Sequence, residues 1–125
     1  MTINLYAAWI CFLLGTVVGA TTGLFFHREE WLGGYTSWRR RMLRLGHISF
    51  FGIGLLNLAF ALSAPALGIA DALELSSYLL ILGAVGMPLV CYLSAVHTPF
   101  RHLFFIPAGA VMVALAAFVW RILAS

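Results

Sequence analysis

Four long apolar stretches restrict the fold of this chain more than any other feature of its sequence. They cover residues 5–26, 43–64, 75–96 and 103–123, and short polar segments separate them. A helix needs about 20 apolar residues to cross the hydrocarbon core of a bilayer. The composition agrees, because 63% of the 125 residues are hydrophobic and only 9% are charged, whereas soluble domains carry about 25% charged residues. We therefore predict one all-α membrane domain over residues 1–125, folded as a four-transmembrane-helix bundle.

The distribution of arginine predicts the orientation of this bundle, since the chain contains seven arginines and no lysine. Six of them lie on one predicted side of the membrane: Arg28, Arg39, Arg40, Arg41, Arg44 and Arg101. Cytoplasmic loops carry an excess of basic residues, so we expect both termini outside the cytoplasm (N-out/C-out) of a bacterial inner membrane. The arginines flank apolar runs instead of covering a solvated face, which argues against nucleic-acid binding.

Two local signals concern the connections between the helices. Thr98 followed by Pro99 is typical of a helix start, because a hydroxyl caps the first turn and proline suits the first helical position. Gly33 and Gly34 lie within the loop of residues 27–42 and predict an interruption of any helix there.

A stripe of glycines follows one face of the first helix. Gly15, Gly19 and Gly23 are spaced at i, i+4 and i+8, and such stripes let membrane helices approach closely. The stripe predicts packing within the chain, self-association, or docking onto other membrane subunits. A flat slot for a planar ligand is the alternative that the motif leaves open.

The histidines are the residues that suggest chemistry. His27, His47, His97 and His102 all fall near the arginine-rich side. His47 lies about one turn inside the second helix, and an ionisable group within a span usually faces the bundle interior. One interpretation is a neutral imidazole bonded to a neighbouring helix, near Ser49 or Asn57. The other is a ligand for a metal or for haem iron.

A b-type haem requires two histidines that face each other across a gap at similar depth. We predict His47 and His97 as the iron ligands, with His102 in reserve for His97. Arg44 and Arg101 would then bind the anionic haem propionates, because guanidinium groups pair bidentately with carboxylates. Copper or zinc bound by the same three histidines is a second version of this site.

The segment RRRMLRLGHISFFGIGLLNLAFAL places arginines ahead of a histidine one turn into a glycine-rich helix, after a first helix with a glycine stripe. This pattern resembles the first two helices of haem-copper oxidase subunit I and of related small membrane haem proteins. The second helix of that family supplies a haem-ligating histidine, so the resemblance implies His47 as a ligand. The copper-ligand motif of the family is absent here, and the resemblance therefore implies a single low-spin haem.

Three functions follow from these patterns. The first is a membrane haem protein for electron transfer, and the second is a non-catalytic accessory or assembly subunit of a larger respiratory or transport complex. The third is a small metal-ion transporter, which ranks last because no acidic residue lies within a span. No catalytic constellation is evident, which favours a protein that is not an enzyme.

Overall fold

Four α-helices make up the structure, a computed structural model that describes residues 1–124. Their bounds are Thr2–Gly23 for α1, Trp38–Ala66 for α2, Glu74–Val96 for α3 and Phe105–Leu123 for α4. Short 3-10 helices occupy the three connections, at Trp31–Gly33, Ala70–Ala72 and Thr98–Leu103. The described residues contain no strand. Each of the four helical segments is long and apolar enough to cross a membrane, so the predicted all-helical architecture is confirmed.

Helix α2 begins at Trp38, upstream of the predicted start at Leu43. Ser37 is its N-cap, and the Ser37 hydroxyl accepts a hydrogen bond from the backbone N–H of Arg40 at 3.2 Å. The prediction followed hydropathy, which rises only at the apolar run. A capping hydroxyl followed by arginines, which are good helix formers, extends the helix upstream of that run. The arginine triplet 39–41 therefore lies within the first turn of α2.

The connection between α3 and α4 also differs from the prediction. Thr98 and Pro99 begin a 3-10 helix, which no side-chain hydrogen bond caps, and not an α-helix. His97 before it has an extended backbone, and the α-helix starts only at Phe105. The tight 3-10 turn reverses the chain direction within six residues.

Consecutive helices pack side by side, and α3 contacts all three of the others. α1 packs along α2, α2 along α3, and α4 along α3, whereas α1 meets α3 over a smaller area. Glycines allow the closest approaches: a Cβ added at Gly83 would overlap Val111, and one at Gly86 would touch Pro107. Such backbone-to-side-chain contacts generally hold membrane helices together, because the hydrophobic effect does not do so in lipid.

The two ends of the bundle differ in charge. The α1–α2 connection and the α3–α4 turn lie together at what we call the arginine-rich end, which carries six of the seven arginines. The opposite end carries both termini and the α2–α3 connection. Within the α1–α2 connection, Leu32, Gly33 and Gly34 have φ values of 55, 87 and 93°. Glycine adopts these values without strain, so the predicted interruption at the two glycines is present.

Candidate functional site

Three buried polar side chains form a closed hydrogen-bond network among α1, α2 and α3, toward the opposite end. Asn4 donates through Nδ2 to Oδ1 of Asn57 at 2.8 Å and to the carbonyl oxygen of Ser77 at 3.1 Å. The Ser77 hydroxyl donates to Oδ1 of Asn4. Asn57 donates through its own Nδ2 to the carbonyl oxygens of Ile53 and Leu80, at 3.0 and 3.2 Å. Every carboxamide atom has a partner, so the network joins three helices and leaves no polar atom for a ligand.

The side chains predicted to bond with His47 have other partners. Asn57 belongs to the network just described, ten residues along α2. The hydroxyl of Ser49 donates to the carbonyl oxygen of Gly46 at 2.7 Å, within its own helix. Neither residue supplies the hydrogen bond to His47 that the sequence suggested.

Arg40 at the start of α2 bonds to the backbone of the segment that follows α1. In the sequence, this residue served only as a signal of membrane orientation. It is 2% exposed. Its guanidinium donates to the carbonyl oxygens of Phe26, Arg28 and Glu29 at 3.0, 3.2 and 3.4 Å. It also lies over the rings of Phe26 and Trp31, with Cζ 5.0 and 5.6 Å from their centroids. Arg40 therefore bonds three backbone carbonyls of the segment that follows α1.

His47 directs its imidazole toward α1. A Cβ added at Gly19 would overlap the His47 ring, which also meets the ring of Phe51 edge-on at 5.3 Å. The preceding residue, Gly46, faces α3 instead and lies against Tyr92. The predicted interior position of His47 thus corresponds to the seam between α1 and α2, where the imidazole occupies the space that the glycine leaves.

The other histidines lie at the arginine-rich end and are exposed. His97 follows the last turn of α3, with its ring 6.0 Å from that of Phe100, and His102 lies within the 3-10 turn. Residues 1–124 hold no group of three or more histidine, cysteine, aspartate or glutamate side chains that could bind a metal ion. The three-histidine metal site is therefore not formed, and a haem held by His47 and His97 stays a prediction from the sequence.

The two arginines predicted to bind haem propionates have different surroundings. Arg44 donates to the carbonyl oxygen of Tyr35 at 3.1 Å, and its Cζ lies 4.3 Å from the centroid of the Tyr35 ring. Arg101 is exposed within the 3-10 turn. Arg44 thus helps to fix the connection between α1 and α2.

The glycine stripe of α1 is largely covered by α2. A Cβ added at Gly15 would overlap the ring of Phe51, and Gly19 is covered by His47. Gly23 has open space around it. Close packing within the chain therefore occupies two of the three glycines that the sequence offered for self-association or for partner subunits.

An apolar cleft between α1 and α3 is a feature that the sequence did not reveal. Its volume is about 510 Å³, and its surface is almost entirely apolar. The α1 wall runs from Ile3 to Leu14 with the spacing i, i+3, i+4, i+7, i+8 and i+11, and the α3 wall repeats this spacing from Ile81 to Tyr92. Phe50 of α2 forms part of the floor. The cleft arises because α1 and α3 both pack on α2 while meeting each other over a small area.

Several buried polar atoms in the arginine-rich half have no hydrogen-bond partner among residues 1–124. They include Nδ1 of His47, the hydroxyl of Tyr92 and the hydroxyl of Ser94. Each unpaired buried polar atom costs about 1–3 kcal/mol. The buried polar side chains of this half of the bundle are thus less completely hydrogen-bonded than those of the half that contains the network of Asn4.

Comparison of the chain with protein-family models, with curated proteins and with solved structures finds no match in any of the three. Its function is therefore inferred from its own residues.

Proposed function

We propose that this chain is a non-catalytic integral membrane protein that holds one hydrocarbon chain of a membrane lipid in the cleft between α1 and α3. In this proposal all four helices cross the membrane, and the positive-inside rule places the arginine-rich end in the cytoplasm. The observation that carries the proposal is the shape of the cleft, which is apolar, long and narrow.

The dimensions of the cleft suit a single chain. Each wall extends over 12 residues of helix, from Ile3 to Leu14 and from Ile81 to Tyr92, and the first and last residues are about 16 Å apart at 1.5 Å per residue. A volume of about 510 Å³ over that length gives a mean cross-section of about 30 Å². A helix with its side chains is about 10–12 Å across and has a much larger cross-section. An extended methylene chain, whose carbons pack about 3.5–4.0 Å from their neighbours, fits.

The cleft is also accessible from the bilayer. Ile10 and Val85 on its two walls are 55% and 63% exposed, so the cleft opens sideways toward lipid. Lipid tails are as apolar as these walls. We therefore expect shape, and not hydrophobicity, to distinguish the chain bound in the cleft from the chains around it.

Binding is a better explanation of these features than catalysis. The polar side chains of Asn4, Asn57 and Ser77 are bonded to one another, and Arg40 is bonded to backbone carbonyls. The cleft itself offers apolar contact and no cluster of catalytic groups.

An accessory subunit of a larger membrane complex remains compatible with this proposal. Helix α4 packs mainly against α3 and exposes most of its other faces, including Met112 and Trp120. A lipid bound between α1 and α3 would then be part of the assembled complex.

The haem and transporter hypotheses have their own tests. A Soret band in protein purified after expression with ample haem, lost in His47→Ala, would support the haem. Metal uptake into vesicles that depends on His97 and His102 would support the transporter.

Native mass spectrometry of the full chain, extracted from its membrane in mild detergent, tests the lipid proposal. We expect one lipid to remain bound per chain after detergent exchange. Ala7 lines the cleft, and Ala7→Phe should fill part of it and release the lipid. Ala116 lies exposed on α4, so Ala116→Phe is the matched control and should keep the lipid.

The outcomes separate the alternatives. Equal retention by the wild-type chain and by Ala7→Phe would overturn the proposal, as would a wild-type chain without lipid. Thermal unfolding of each variant reports whether it is folded. If Ala7→Phe does not fold, Ile10→Trp, at a more exposed position on the same wall, replaces it.

A further inference from the structure

A second groove lies at the arginine-rich end, between the start of α2 and the end of α3. Its volume is about 310 Å³, and its surface is almost wholly apolar. The side chains that line it are Leu32, Arg39, Leu43, Tyr92, Ala95 and Val96. Tyr92 also lines the cleft between α1 and α3. The groove and the cleft therefore share the Tyr92 side chain as part of their linings.

Arg39 differs from its neighbours in having no partner among the residues that the structure describes. Arg40 and Arg44 donate to backbone carbonyls, and the guanidinium of Arg41 lies over the ring of Trp38. Among residues 1–124, no hydrogen bond, ion pair or ring contact involves the exposed Arg39 side chain. The groove is thus an apolar surface with one unpaired positive charge at its edge.

The surrounding charge favours an anion. The arginine-rich end carries six arginines and two glutamates, Glu29 and Glu30, whereas the opposite end carries Arg121 with Asp71 and Glu74. Guanidinium groups bind phosphate oxygens bidentately. Basic pockets between membrane helices are a general form of lipid-headgroup site.

We infer that the lipid held by this chain is an anionic phospholipid, with its phosphate paired with Arg39 and its apolar part in the adjoining groove. This inference rests on the proposed function, because it names the headgroup of the lipid whose chain occupies the cleft. The arrangement along the bundle axis agrees with the shape of a phospholipid. The positive charge of Arg39 lies at the helix ends, and the apolar groove and cleft lie on the side toward the membrane interior.

Competition between two lipids tests the inference. The full chain is reconstituted in nanodiscs that contain phosphatidylglycerol and phosphatidylcholine with identical acyl chains, and the retained lipid is identified by native mass spectrometry. We expect the wild-type chain to retain the anionic lipid preferentially. A basic residue near the surface contributes about 1 kcal/mol to anionic lipid binding, so Arg39→Gln should lower the preference about fivefold.

Two variants serve as controls. Arg41→Gln removes the same charge away from the groove and should change the preference by less than about twofold. Arg39→Lys retains the charge and should retain most of the preference.

Equal losses in Arg39→Gln and Arg41→Gln would overturn the inference, because a diffuse basic surface would explain them. Retention of both lipids without preference would overturn it and leave the proposed function intact. Retention of neither lipid would overturn both.

Discussion

The imidazole of His47 occupies the space that a side chain on Gly19 would fill. This contact joins the most conspicuous histidine of the sequence to the glycine stripe of the first helix. The sequence suggested separate roles for the two residues, a haem ligand and a docking surface. In the structure they form one complementary contact at the seam between α1 and α2.

The contact predicts energetic coupling between residues 19 and 47. Gly19→Ala should lower the free energy of unfolding by about 1–3 kcal/mol, because the new methyl group overlaps the imidazole. The same change in a His47→Ala background should be neutral or stabilising, since alanine is a better helix former than glycine. Unfolding of the four variants in mixed micelles measures the coupling. Gly23 has open space around it, so Gly23→Ala is the control and should show no energetic coupling to residue 47.

The hydrogen-bond network of Asn4 should contribute to stability. Asn57→Leu removes an acceptor for Nδ2 of Asn4 and the donor to the carbonyl oxygen of Leu80, and we expect a loss of about 1–3 kcal/mol in the free energy of unfolding. Thr21→Val removes a hydroxyl that bonds only within its own exposed turn, and it should cost much less. Equal losses in the two variants, measured by denaturation in mixed micelles, would contradict a bridging role for the network.

Arg40 should protect the α1–α2 connection from proteolysis. Arg40→Gln loses bonds to three carbonyl oxygens, so the connection should open more often and be cleaved faster. Arg41→Gln removes an exposed arginine from the same turn and should leave the cleavage rate nearly unchanged. Limited proteolysis of reconstituted protein, followed by mass spectrometry, compares the two. Equal rates would mean that Arg40 does not stabilise the connection.

The helices could be predicted because a bilayer imposes a length and a hydropathy on any span. The start of α2 at Trp38 could not be found from hydropathy alone, since it depends on the cap at Ser37. The sequence also did not show that Arg40 bonds backbone carbonyls whereas Arg39 lines a groove. Adjacent arginines look alike in a sequence, and only the helix register determines which one contacts the carbonyls after α1.

The cleft could not be predicted for a different reason. Its walls, from Ile3 to Leu14 and from Ile81 to Tyr92, have the same apolar character as the other exposed or buried apolar stripes of the helices. A gap between two helices depends on how both sit on a third one. Helix order around the bundle sets that relationship, and a single sequence does not encode it in any local pattern.

Photo-crosslinking with a phospholipid that carries a diazirine on its acyl chain tests the central claim most directly. The full chain is reconstituted, irradiated and digested, and the modified residues are mapped by mass spectrometry. We predict that modification concentrates on the cleft walls, at residues such as Leu14 and Leu89, above the level at Met112 and Val113, which are similarly or more exposed on α4. Ala7→Phe should abolish this excess. Modification that simply follows side-chain exposure over all four helices would contradict a lipid site between α1 and α3.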